Sequence, residues 1–185
     1  MLVNTTQGKE LISERWKMNK DKIIKMAFLE LGYPYADEDL QEDVNFETAS
    51  FYFNDIVLKI QNDTRFNFNL AKERLKLLDR QRYTDRYEYA KPTGFLKNLT
   101  PGIAEFGDIL LSDEAEVECT YKKKLDLEDI PDTYERLTAL WLATAICSSV
   151  GKAKAITRLA SLMQLEEEKL TFDNGLMGFD LEDLN

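Results

Sequence analysis

The groups able to do chemistry in this chain are carboxylates, lysines, tyrosines and two cysteines, because histidine is absent from all 185 residues. Without imidazole there is no Ser-His-Asp or Cys-His nucleophile, no HExxH zinc site and no His-ligated metal. Cys119 and Cys147 stand far apart with no CxxC spacing, which reads as two small buried hydrophobes in a reducing compartment. The pair Gly151-Lys152 has Ile146 where a phosphate-binding loop needs glycine, and Ala153 where it needs a hydroxyl. Residues 35–43 are rich in acids but lack the alternation and the central glycine that calcium coordination requires. Among the 34 carboxylates, no pair is set apart by apolar neighbours that would raise a pKa for acid-base work. These residues point away from catalysis, and no cofactor or metal is expected.

Twenty-four basic residues against 34 acidic ones leave a formal charge of −10, the wrong sign for a domain that grips DNA or an anionic membrane. One stretch has nucleic-acid flavour: Lys72, Arg74, Lys76, Arg80, Arg82 and Arg86 interleaved with Tyr83, Tyr87 and Tyr89. Glu73, Asp79 and Asp85 dilute it, so a solvated or subunit-contact face making ion pairs is the better reading. Lys122, Lys123 and Lys124 end a strand-like segment and read as charges protecting a sheet edge. No run approaches the roughly 18 apolar residues of a membrane span. The first residues lack a continuous apolar stretch before Glu10 and Glu14, so no signal peptide is expected either.

Hydrophobic content of 44% predicts a packed core, and the length suits one domain. Ile23, Ile24, Ala27, Phe28 and Leu31 recur at helical spacing before Gly32 and Pro34, which predicts a helix over about 20–31. Phe46, Ala49, Phe53, Ile56, Val57 and Ile60 form the stripe of a second helix over about 45–61. Leu70, Arg74, Leu75, Leu77 and Leu78 suggest a third, shorter helix over about 69–81. Composition then turns strand-like over about 83–125. There DILLS and EAEVECTYKKK, joined through Asp113-Glu114, predict a hairpin in which Val117, Cys119 and Tyr121 point inward. Asp129-Ile130-Pro131 opens what reads as the longest helix, apolar nearly all round and therefore central, with Trp141 in the core. A last helix follows Gly151 with Ile156, Leu159, Ala160 and Met163 on its inner face, and residues 171–185 read as an acidic arm. The expected fold is mainly α: a helical bundle of four to five helices with a small inserted antiparallel β-hairpin and extended termini. Its divisions are an N-terminal extension (1–18), the bundle domain (19–170, with the β insertion at about 83–125) and the C-terminal arm (171–185).

Taken in order, these segments resemble the head-to-tail adaptor proteins of short-tailed bacteriophages, the tail tubular protein A type, including the ring proteins of crAss-like phages. The resemblance covers about 20–170. It rests on the first helix ending LELGYP and on Phe68 and Ala71 after the second helix. It continues through Tyr87, Tyr89 and Pro92 of a Y-x-Y-x-x-P segment and the hairpin DILLSDEAEVECTYKKKLD, whose final strand is read as ending at Tyr121. The final part is the helix with Pro131, Tyr134, Leu137, Ala139, Leu142 and Ala143. The first 18 residues and the tail after 171 are not part of that family pattern.

The resemblance implies a structural virion protein that forms a homo-oligomeric ring of about twelve copies under the portal. It implies portal protein and the next tail or ring protein as partners, and DNA passing through without specific binding. The expected location is the connector region of the virion, after synthesis in the bacterial cytoplasm. On this view Phe172, Leu176, Met177, Phe179 and Leu181 are apolar anchors of an arm that docks on the portal. Glu116, Glu118, Asp180 and Glu182 are candidates to face the channel or the next ring, where few cations are offered to displace counterions from phosphates. The alternative from another class is a small acidic helical regulator or scaffold that binds a host protein one to one. A carboxylate and metal hydrolase would need acids converging on magnesium.

Overall fold

An almost wholly apolar helix has to be covered on most sides, and the computed structural model, which describes residues 18–33, 44–79 and 85–176, is arranged around that requirement. The chain divides into a unit formed by Met1–Phe66 with Asp126–Asn185 and a second unit, Asn67–Leu125. In the first unit the described helices are α1 (Lys20–Glu30), α2 (Val44–Asn62), α3 (Glu135–Ile146) and α4 (Ile156–Leu176). Helix α3 packs against each of the other three. Nine of its twelve residues are buried, from Glu135 through Ile146 with only Arg136, Thr144 and Ala145 excepted. The hydroxyls of Thr138 and Thr144 are satisfied by carbonyls one turn back, Tyr134 O at 2.7 Å and Leu140 O at 2.8 Å.

The helix ends are set by local chemistry. Asn19 caps α1, its Oδ1 accepting from Lys22 N at 3.1 Å. Gly32, with φ +76°, closes the same helix: Tyr33 N donates to Phe28 O and Gly32 N to Leu29 O, while the Phe28 and Tyr33 rings meet edge to face at 5.9 Å. The predicted stripe of α2 is the buried one, with Ala49, Phe53, Ile56 and Ile60 inside. Pro131 precedes a short 3-10 turn, Asp132–Tyr134, that leads into α3. The longest described helix is α4 rather than α3, and it continues through Leu176, so residues 171–176 are helical rather than arm. Its inner face is also rotated from the prediction. Leu159, Glu166 and Leu170 are buried, whereas Ile156 and Ala160 are exposed.

The second unit overturns the mainly α expectation: beside the helices stand two three-stranded antiparallel sheets, a mixed α and β fold rather than a bundle with one hairpin. Its strands are β1 (Leu70–Arg74), β2 (Tyr87–Ala90), β3 (Phe95–Asn98), β4 (Ala104–Phe106), β5 (Ile109–Ser112) and β6 (Glu118–Lys123). One sheet has the order β1-β6-β3 and the other β2-β5-β4. The predicted third helix is therefore strand β1. Its residues pair with β6, Ala71 opposite Tyr121 and Glu73 opposite Cys119, and this cross-strand pairing overrides the helical propensity of Leu, Ala, Lys and Glu. The chain then crosses to the other sheet, where Leu77 bridges Tyr89 and Ala90 N donates to Lys76 O at 3.0 Å.

The predicted hairpin is likewise replaced. β5 and β6 lie in different sheets, and β5 pairs instead with β4 through the two-residue turn Gly107-Asp108, where Gly107 has φ +58°. The inward set of β6 is as expected, with Val117, Cys119 and Tyr121 buried. They share one core with Leu75, Tyr89, Ile103 and Leu110, drawn from both sheets. Being central, β6 has no free edge to protect, and Lys122 is fully buried with its Nζ donating to Asn69 Oδ1 at 3.1 Å.

Two outcomes follow for the two cores. Leu140→Ala, at a fully buried position of α3, is expected to cost about 2–5 kcal/mol in urea unfolding followed by circular dichroism at 222 nm. In the β unit, burial raises the hydroxyl pKa values of Tyr89 and Tyr121 above the ordinary 10.0. The folded state then holds those protons more tightly, so their contribution is complete below pH 10 and is lost as pH rises through the raised values. Alkaline titration is expected to show tyrosinate absorbance appearing together with loss of sheet signal, and early ionisation of a still folded protein would contradict it.

Candidate partner-binding surface

Large apolar side chains that no helix of the first unit covers mark its candidate contact surfaces. On α2, Phe51 and Leu58 are two helical turns apart on one face, 75% and 39% exposed. On α4, Leu165 and Phe172 repeat the same spacing at 63% and 67%. Leu29 on α1 and Ile156 at the start of α4 are also exposed. The stripe of α2 was legible in the sequence, and Phe51 and Leu58 fall off it. That displacement was the available signal for a second apolar face.

Beside Leu58 lies an open groove of about 550 Å³, lined by Asp55, Leu58, Lys59, Asn62, Asp63 and Trp141. Trp141 forms its apolar floor and is fixed from two directions: Lys59 Nζ lies 4.4 Å from its ring centroid, and its Nε1 donates to Glu167 Oε1 at 3.1 Å. Arg65 joins the end of α2 to α4, its Nη1 donating to Glu167 Oε2 at 2.5 Å and its Nη2 to Asp63 Oδ2 at 2.6 Å. Those hydrogen bonds, first to Asp63 and then to Glu167, hold the guanidinium firmly protonated. The groove already holds a cation of its own, Lys59 over the indole, and its Asp63 is already paired with Arg65.

The expected contact residues are distributed as follows. Phe172 is exposed on the last turns of α4, and Leu176 ends that helix. Met177, Phe179, Asp180, Leu181 and Glu182 lie outside the described residues, as does the acidic segment 35–43. Glu116 and Glu118 are exposed but face cations of β1, Glu116 Oε1 at 2.6 Å from Arg74 Nη2 and Glu118 Oε2 at 3.3 Å from Lys72 Nζ. Lys72 and Arg74, the start of the basic cluster, are thus engaged in ion pairs with the first residue of β6 and the segment leading into it. Cys119 and Cys147 are both free and buried, and burial pushes the Cys119 thiol up. Among the described residues no group of three or more acids and cysteines converges as a metal site would require, and no helix is long and apolar enough to cross a membrane. No protein-family model matches the chain, and no curated protein matches it.

Arg65→Met removes the link from Asp63 to Glu167 while leaving the Trp141 bond possible. Half-exposed ion pairs contribute little, so the expected loss is about 1 kcal/mol or less in urea unfolding, with a change in tryptophan emission as Glu167 loses one of its anchors.

Proposed function

We propose that this protein is a structural component of a bacteriophage particle, a head-to-tail connector that assembles as a ring beneath the portal and surrounds the path of the genome. The observation that carries the reading is the presence of exposed large apolar side chains on three different helices of one unit, α1, α2 and α4. A subunit inside a ring needs at least two unlike lateral faces and further faces for the components above and below it. The resemblance of the helical segments to the adaptor family points the same way, while the hairpin that formed part of it is replaced by two sheets. A formal charge of −10 per chain suits a wall past which DNA must slide without sticking. Glu116 and Glu118, paired with Arg74 and Lys72, would make their part of any such wall close to neutral.

On this reading the end of α4 and the residues after it dock on the portal, with Phe172 as the described anchor. Light scattering and negative-stain images of the protein mixed with the portal protein of its own phage are expected to show a ring on the portal. Phe172→Asp is expected to weaken that association by about 2 kcal/mol or more, roughly thirtyfold, without loss of helix signal. Removing residues 177–185 is expected to abolish it. A protein that stays monomeric beside the portal, or that binds a host protein one to one, would overturn the connector reading.

A further inference from the structure

Two of the exposed apolar patches carry opposite charge. The first is the outer face of α2, where Phe51 and Leu58 are accompanied by exposed Glu47 and Asp55, with one cation, Lys59, held over the Trp141 ring, so its net charge is negative. The second is the end of the unit where α1 finishes and α4 begins. Tyr33 Oη donates to Val150 O at 2.6 Å, and Lys152 Nζ sits 4.6 Å from the centroid of the Tyr33 ring. Arg158 donates to the carbonyl of Glu30 and lies 3.5 Å from its carboxylate. These contacts fasten the two segments together; Leu29 and Ile156 are 59% and 47% exposed at this end, Lys154 and Arg158 are exposed there too, and Glu30 meets part of the charge of Arg158.

We propose that the α2 face of one copy packs on the α1 and α4 end of the next, Phe51 and Leu58 meeting Leu29 and Ile156 while Glu47 and Asp55 meet Lys154 and Arg158. The occupant is a second copy of this chain because the same unit carries both halves of a complementary pair, apolar against apolar and acid against base. The two patches involve different residues, so the contact is heterologous: each copy uses one patch on each neighbour, and repetition closes a ring or extends a filament. An isologous contact would instead bring like charge onto like charge at either patch. The inference rests on the connector reading and adds to it the faces by which lateral neighbours touch.

The test uses the full chain and two variants at exposed positions, Phe51→Asp and Leu29→Asp, with circular dichroism to confirm that each folds. Wild type is expected to run as a multi-subunit species in light scattering, and each variant alone as a monomer. Mixed in equal amounts, the two variants are expected to form a dimer and stop, because each retains the one patch that the other has lost. Lys154→Glu is expected to weaken wild-type assembly at least tenfold, and Asp55→Lys introduced with it to recover part of the loss. Assembly is also expected to weaken at an ionic strength of about 1 M, where the screening length is roughly 3 Å. Variants that assemble like wild type, or a mixture that stays monomeric, would overturn the pairing of these faces while leaving a ring in place. A wild type that does not self-associate, alone or on the portal, would overturn the connector reading itself.

Discussion

The burial of α3 is the constraint from which the helical unit follows. Leu137, Leu140, Leu142, Ala143 and Ile146 are all fully buried, and transferring each large side chain out of water is worth roughly 1.5–3 kcal/mol. No single neighbour can cover a helix that is apolar on nearly every side. Helices α1, α2 and α4 must therefore gather round it, although α1 and α2 precede the β unit in the chain and α3 and α4 follow it. The polar groups drawn in with it are answered locally. Glu135 at its start accepts from Lys22 of α1, Trp141 donates to Glu167 of α4, and the threonine hydroxyls turn back on their own carbonyls.

Covering α3 uses one face of each outer helix and leaves the other faces available. That is why Phe51, Leu58, Leu165 and Phe172 can be exposed on helices whose inner stripes are well buried. A solitary exposed leucine is unremarkable in any protein. Pairs of large apolar side chains at the same helical spacing on two separate helices concentrate that exposure into contact-sized surfaces. On the packing proposed above, the charges of α2 and of the start of α4 would direct association to particular faces rather than leave it to apolar area alone.

The β unit solves a different problem. Its sheets have only three strands each, too few to be stable with one face bare, and they share a single core built from Leu75, Tyr89, Ile103, Leu110, Val117, Cys119 and Tyr121. The segment from Leu70 to Leu78 pairs first with β6 and then with β2, tying the sheets together through the backbone. The buried hydroxyl of Tyr89 reinforces the connection from β5 to β6 by donating to the carbonyl of Glu114. Gly94 is needed where the backbone comes close. Its carbonyl accepts from Lys124 N at 2.7 Å, and at φ +74° a side chain would be strained.

Periodicity by itself determined the helices α1, α2 and α3, the central place of α3, and the inward set of β6, because those patterns are written in residues only a few positions apart. The lack of histidine decided equally early which chemistries were closed. What only the tertiary structure decided depends on partners distant in the chain. Leu70–Arg74 carries a helix-compatible composition and becomes a strand because β6 offers it hydrogen bonds. DILLS and EAEVEC look like the arms of one hairpin and separate into two sheets because β4 claims the first and β1 with β3 the second. Lys122 resembles an edge charge until strand order places β6 in the middle. The exposed apolar surface was half legible: Phe172 was singled out from the sequence, whereas Phe51 and Leu58 stand out only because α3 takes the other side of α2.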